Sequence, residues 1–348
     1  MDSSGDQPIE ENNGGRTRRR GWIIGGVVAA GLLMLTLAAV ALVLLVGLGG
    51  SGGGGTVSGR ENYDEEYVSG NGNQKIAVVP IEGRIAAAES EVAGQNLTTT
   101  PDGLRDALVQ AEEDDNVQAV VLEINSPGGG VTASDQMHEH ITEFKRSSNK
   151  PVVVSMGSTA ASGGYWISTA ADRIVANETT LTGSLGVFLP LLNFSKAAEK
   201  YGVTQSYVKS GKFKTMGSPW KDLTEQERKI FDSIVTQHYD NFVEVITEGR
   251  GLPEEKVREV ADGRVYTGLQ AKRLGLVDKL GDLQEAATVS RNLSDVKSAT
   301  VVRYVQSPGL AEIFRARLTP KTPEAAYVVE AAGLNLEAKP YALYLPGR

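Results

Sequence analysis

Apolar and polar positions divide the chain into three regimes. From Trp22 to Leu48, 27 uncharged residues (WIIGGVVAAGLLMLTLAAVALVLLVGL) run without a polar face. As a helix rising 1.5 Å per residue this run spans about 40 Å, enough to cross a hydrocarbon core of about 30 Å with tilt. The apolar region of a cleaved signal peptide is shorter, about 7–15 residues. Residues 49–74 (GGSGGGGTVSGRENYDEEYVSGNGNQ) are rich in Gly, Ser and acids. They predict a flexible tether with a reach of about 28 Å.

From Lys75 onward short apolar runs alternate with stretches of helical period. KIAVVPIEGRI (75–85), VQAVVLEIN (117–125), PVVVSM (151–156) and DRIVAN (172–177) predict buried strands, with SLGVFLPLLN (184–193) as a fifth. Residues 102–113, 133–145, 162–171 and 195–201 predict helices between them. Thr224–Arg250 predicts a long amphipathic helix, opened by a Thr224/Glu227 capping box and carrying Ile230, Ile234, Phe242, Val245 and Ile246. Residues 253–261 and 267–274 predict shorter helices. The alternation indicates an α/β domain, with no repeat of fixed period. YALYLP (341–346), in a proline-punctuated tail, is either a last strand or loose chain.

Charge orients the apolar run. Arg16, Arg18, Arg19 and Arg20 precede it, and no Lys or Arg follows until Arg60. The positive-inside rule then puts the N-terminus in the cytoplasm and the rest outside the cell membrane, as a single-pass signal anchor. The expected organisation is a cytoplasmic segment 1–21, an anchor 22–48, a tether 49–74, a folded domain 75–300 and a C-terminal extension 301–348. Four acids balance the four arginines of residues 1–21, so the net charge of −8 lies on the outer part. That balance argues against a nucleic-acid partner. Without cysteine there is no disulfide, thiol nucleophile or Cys-ligated metal. The three histidines, His138, His140 and His238, read as surface or packing residues, and neither a metal nor a cofactor is expected.

Three glycine-punctuated turns follow predicted strands. In Asn125-Ser-Pro-Gly-Gly-Gly130 the backbone can present N–H groups to an anion without Cβ obstruction; an ordinary tight turn is the simpler reading. In Ser158–Tyr165 small residues surround Ser162 where a strand turns into a helix. A nucleophile there exposes its hydroxyl, with the Gly163 N–H behind it, but taken alone a helix cap is the simpler reading of Ser162. In Leu181–Gly186, Ser184 either bonds a neighbour or finishes a turn. Lys209, Lys212 and Lys214 cluster after 204–208, a strand-like run. A solvated basic loop is the plain meaning, and a lysine base needs desolvation.

In order, NSPGGGV, SMGSTAASGGYWISTAADRIVA, TLTGSLGV, VKSGKFK and DGRVYTGLQAKRLGLVD (262–278) resemble the signal peptide peptidase A family. The resemblance covers residues 75–283 and is nearest the short bacterial form with one catalytic domain. It implies a membrane-anchored serine peptidase on the ClpP/crotonase-like fold with repeated ββα units. It assigns Ser162 as nucleophile and Lys214 as base, with Ser184 supporting the lysine and Gly129 and Gly163 forming the oxyanion hole. It also implies apolar peptide substrates, remnant signal peptides above all. Family members form ring or dome homo-oligomers, octamers among them, whose active sites are shared between protomers. The competing readings are a catalytically inactive tethered assembly or binding protein, a stomatin-linked membrane protease with further spans, and an acyl-CoA enzyme.

Overall fold

A computed structural model of the chain describes residues 63–306, apart from residues 89, 90, 93, 94 and 97. The expected cytoplasmic segment, the anchor Trp22–Leu48 and residues 307–348, YALYLP among them, lie outside the described residues. Among the described residues no helix is long and apolar enough to cross a membrane.

The apolar runs form the middle of a ten-stranded sheet. Its centre is β2 (Lys75–Ile85), β6 (Val117–Gly129) and β7 (Val152–Ala161), followed by β8 (Arg173–Ala176) and β11 (Lys279–Leu280). All of these pair in parallel. Strand periodicity sorts their side chains onto two faces. Ala77, Val79, Ile81, Leu122, Val154 and Met156 meet α1 (Pro101–Glu113), α2 (Val131–Ser148), α3 (Gly163–Ser168) and the C-terminal half of α5 (Glu225–Arg250). Ile76, Val78, Val121, Val153 and Val175 meet α8 (Leu283–Leu293) on the other side. Burying one such aliphatic side chain contributes about 1.5–3 kcal/mol relative to exposure. This two-sided burial is why the strands read as unbroken apolar runs.

The short connecting pieces are α4 (Ser195–Lys200), α6 (Glu254–Val260) and α7 (Gly268–Leu274), with a two-strand pair of β3 (Glu91–Val92) and β4 (Gln95–Asn96). The Thr224/Glu227 capping box is formed, and a second one joins Thr267 to Gln270.

Two domain boundaries need correction. Residues 63–70, expected within the tether, form β1 (Tyr63–Gly70), antiparallel to β12 (Thr300–Gln306). Residues 301–306, expected in the C-terminal extension, belong to β12, which runs parallel to β2 and buries Val301, Val302 and Tyr304. The folded unit therefore spans at least 63–306. The run YDEEYVSG is polar because β1 is an edge strand with most of its residues in solvent, and charge on an edge discourages stray pairing. Residues 184–193 form no strand, and neither do 204–208.

The central strands change partners at one level. The register shifts between Glu82 and Arg84 in β2 and between Ile124 and Ser126 in β6. Beyond that level β7 leaves β8 and pairs with β9 (Leu181–Gly183), while β2 gains β5 (Thr98–Thr99). β9 in turn pairs with β10 (Val265–Thr267). Bulges of this kind bend strands and re-aim side chains. Every glycine turn noted in the sequence lies beyond this level.

Candidate active site

Two strand ends and the start of one helix build the site. β7 ends at Ala161, α3 begins at Gly163, and Ser162 between them takes φ +52° and ψ −119°. That backbone is strained for a residue bearing Cβ. The Ser162 hydroxyl makes no capping bond to the helix. The helix-cap reading therefore gives way, and the half-buried side chain is free of a structural task. The backbone around it is tied on both sides: the Ser162 amide donates to Gly183 at 2.8 Å, and its carbonyl accepts from Trp166 at 2.9 Å.

The glycine turn at the end of β6 lies against this serine. Gly128 has φ +93°, and a Cβ there would stand 2.5 Å from the Gly163 nitrogen and 2.9 Å from the Ser162 Cβ. A Cβ on Gly163 would stand 3.1 Å from the Gly129 nitrogen and collide with the Ser134 hydroxyl. A Cβ on Gly129 would collide with the Ile85 carbonyl. Glycine at 128 and 163 is thus a condition of contact between the two turns, and glycine at 129 a condition of contact with β2; together they place the Gly129 and Gly163 amides beside Ser162.

Ser184 enters through β9. It also holds a positive φ, +52°, and its amide donates to the Arg264 carbonyl at 2.7 Å. The Gly263 amide donates to Leu185 at 3.0 Å, so the Asp262–Arg264 turn grips both sides of the Ser184–Leu185 peptide. Asp262 holds that turn by accepting from the Arg264 amide at 3.2 Å and from its guanidinium. The Arg264 side chain and then its amide pull the Asp262 carboxyl down to about 2. Tyr266 packs on Gly183, where a Cβ would stand 2.6 Å from the ring, and donates to Val260 at 2.9 Å. The DGRVYTG motif is thereby a brace for Ser184, a role its sequence does not reveal. Next to it a cleft of about 490 Å³ is lined by Ser184, Val187, Phe188, Val235, Tyr239 and Asp262 among others, within the usual size of a small ligand site.

Lys214 is elsewhere. It lies exposed in the segment between α4 and α5, its amide bonded to Gly211 at 3.3 Å. Among the described residues no hydrogen bond or ion pair joins it to Ser162 or Ser184. Its neighbours are equally external: Lys209 donates to the Lys212 carbonyl at 3.1 Å, and Lys212 reaches Gln226. The structure thus brings together Ser162, Ser184, Gly129 and Gly163, with Lys214 exposed and not bonded to any of them. His138 is on α2 and His238 on α5; burial pulls His138 below its usual range. Two residues given no role in the sequence reading sit at the site, Ser126 and Ser134, both fully buried. The only signal for them was their closeness to the glycine run.

The family model of Clp protease matches residues 87–181, and the mixed α/β fold is ClpP-like. The model of peptidase family S49 matches residues 144–297. A protein of Enterococcus faecium, named as a candidate signal peptide peptidase SppA, is 38% identical over 242 residues, 69% of this chain and 70% of its own length. Protease 4 of Haemophilus influenzae is 37% identical over 67% of this chain, which covers 37% of that longer protein. Among solved structures, a mutant of ClpP1 from Listeria monocytogenes superposes with a TM-score of 0.40 at 18% identity, over 60% of this chain and 93% of its own. With 38% identity over 242 residues to a relative of which the chain covers 70%, and a family match over 144–297 that includes Ser162, the chain belongs to peptidase family S49 and is a serine peptidase homologous to SppA and protease 4.

Proposed function

We propose that the chain is a membrane-anchored endopeptidase that cleaves apolar peptides, remnant signal peptides foremost, through Ser162 and Lys214. The observation that carries this reading is the Ser162 backbone. A serine held at φ +52° with its hydroxyl outside any cap, against two glycine amides, is an arrangement that stability does not require.

In the proposed reaction Ser162 Oγ attacks the scissile carbonyl carbon and passes its proton to Lys214 Nζ. The carbonyl oxygen becomes an oxyanion facing the Gly129 and Gly163 amides, donors already fixed before charge develops. Collapse breaks the C–N bond, and Lys214 returns the proton to the leaving amine. A water, deprotonated by the same lysine, then hydrolyses the acyl ester and restores Ser162. Ser184 would hydrogen-bond the lysine amine and aim it.

A lysine amine acts as a base only when desolvated, and Lys214 is exposed in the single chain. The remedy we propose is a second copy. The stretch on both sides of α4, which includes Lys214, displays Phe188, Leu192, Tyr201 and Val208 to solvent, and the N-terminal half of α5 leaves Ile234 exposed. Apolar surface on this scale fits an interface between protomers. In a closed homo-oligomer Lys214 of one protomer would then be delivered to Ser162 of its neighbour and buried there. The apolar residues beside Ser184 suit an apolar peptide side chain. Anchoring through Trp22–Leu48, with the catalytic domain outside, would hold the site near membrane-embedded substrates.

The test uses the full chain in detergent and an apolar signal-peptide substrate. Ser162→Ala and Lys214→Ala should each abolish turnover. Wild-type turnover by either variant overturns the assignment, and loss in Lys212→Ala alone would move the base to Lys212.

A further inference from the structure

Ser126 and Ser134 are two of the few fully buried polar side chains among the described residues, and both point their hydroxyls at the same glycine turn. Ser126 Oγ accepts from the Gly128 amide at 3.1 Å. Ser134 Oγ donates to the Gly130 carbonyl at 3.0 Å, and the Ser134 amide donates to that same oxygen at 3.0 Å. The Gly130 amide in turn donates to Ile85 at 2.9 Å. The Gly128 amide, the Gly130 amide and the Gly130 carbonyl are therefore all engaged. The Ser134 hydroxyl also fills the space where a Gly163 side chain would stand. One buried hydroxyl thus touches both glycine turns beside Ser162.

We propose that Ser126 and Ser134 are positioning residues of the oxyanion hole, which lock the Pro127–Gly128 and Gly130–Val131 peptides, one step out on either side of Gly129, so that the Gly129 N–H stays aimed at the developing oxyanion. The inference rests on the reading of Ser162 as nucleophile and of Gly129 and Gly163 as donors. Three successive glycines have wide conformational freedom, and Gly129 is exposed at the surface of the turn. The pairing of Gly129 with Ile85 ends β6 here, so the last peptides of the strand depend on their neighbours to keep the Gly129 N–H from turning away, and an oxyanion donor stabilises charge only if its direction is set beforehand. A hydroxyl at each end of the turn supplies that restraint from within the core, where water cannot replace it. Neither serine touches substrate; both act through the backbone.

Ser290 provides the control. It is also fully buried, and it makes the same bond to the carbonyl four residues earlier, Ala286, at 2.9 Å, but on α8 across the sheet. The experiment compares the full-length wild type with Ser126→Ala, Ser134→Ala and Ser290→Ala. It measures kcat, KM, melting temperature and inhibition by a peptide aldehyde, whose adduct with a serine places an oxyanion in the hole. Complete loss of one donor commonly lowers kcat by about 10²–10³, so misaiming one should lower it about tenfold. The aldehyde should weaken by the same factor in Ser126→Ala and Ser134→Ala, with KM within about twofold of wild type. Ser290→Ala should lose melting temperature alone. If the two site variants lose only melting temperature and keep kcat and aldehyde inhibition, the inference is overturned. Should an alanine variant fail to fold, the cysteine variant at that position, similar in size and weak in hydrogen bonding, is judged by the same two outcomes. Ser162→Ala separates the two layers: if it retains turnover, the nucleophile assignment fails, whereas an inactive Ser162→Ala beside unimpaired Ser126→Ala and Ser134→Ala overturns this inference alone.

Discussion

The amide of Ser162 donates to the carbonyl of Gly183 at 2.8 Å, which ties the turn bearing the proposed nucleophile to the residue just before Ser184. Both serines hold φ of +52°, one at the end of β7 and the other at the end of β9. Two strained residues side by side, joined by one backbone bond, mean that displacing either turn displaces the other.

Strain at Ser162 is open to direct measurement. Ser162→Gly and Ser162→Ala should both be inactive, but glycine accepts the positive φ and alanine does not. The glycine variant should be the more stable of the two by about 1 kcal/mol in denaturant titration. Equal stabilities would remove the strain from the account.

The proposed sharing of active sites between protomers predicts complementation. Mixed after dissociation and allowed to reassemble, inactive Ser162→Ala and Lys214→Ala chains should regain about a quarter of wild-type turnover, the share of interfaces that pair an intact serine with an intact lysine. A mixture as inactive as its components would show that both groups come from one chain.

Gly129 tolerates no side chain. In Gly129→Ala the new methyl meets the Ile85 carbonyl, which is backbone and cannot swing aside. We expect a loss of about 1–3 kcal/mol in stability, as for other overpacked sites, together with loss of turnover. Full activity in this variant would mean that the β2 and β6 ends separate freely.

The segment carrying Lys214 is clasped to the start of α5 by an ion pair whose pH dependence has a definite sign. The Lys221 ammonium lies 2.6 and 2.7 Å from the two Glu227 carboxylate oxygens, and the Thr224 amide donates to the same carboxylate at 3.0 Å. Lys221 first, and then the Thr224 amide, hold the Glu227 carboxyl down to about 2, below its unfolded value of 4.5. A depressed acid stabilises fully above its unfolded pKa and loses that contribution as pH falls towards the folded one. Melting temperature should therefore drop between pH 5 and pH 2 more steeply in wild type than in Glu227→Gln; parallel curves would exclude the clasp.

Much of this molecule was legible from local pattern. The unbroken apolar runs at 75–85 and 151–156 are strands because both their faces are covered, and the Thr224/Glu227 pair starts α5 as its spacing requires. Ser162 was marked as a candidate by the small residues around it. Local pattern failed where burial was one-sided. Polar β1 read as tether because it edges the sheet, and apolar 184–193 read as a strand although much of it is exposed.

What sequence alone determined, then, is which segments bury both faces, where helices start, and which positions lack a Cβ. The tertiary structure decided what those glycines are for. Gly128 and Gly163 meet because β6 and β7 are neighbours in the sheet, Ser162 is turned outward because Gly183 holds its amide, and Ser184 is held because the chain returns 80 residues later at Arg264. Backbone pairing between distant segments carries no local residue code, so the roles of Ser126, Ser134 and the Asp262–Arg264 turn emerge only once the strands are laid side by side.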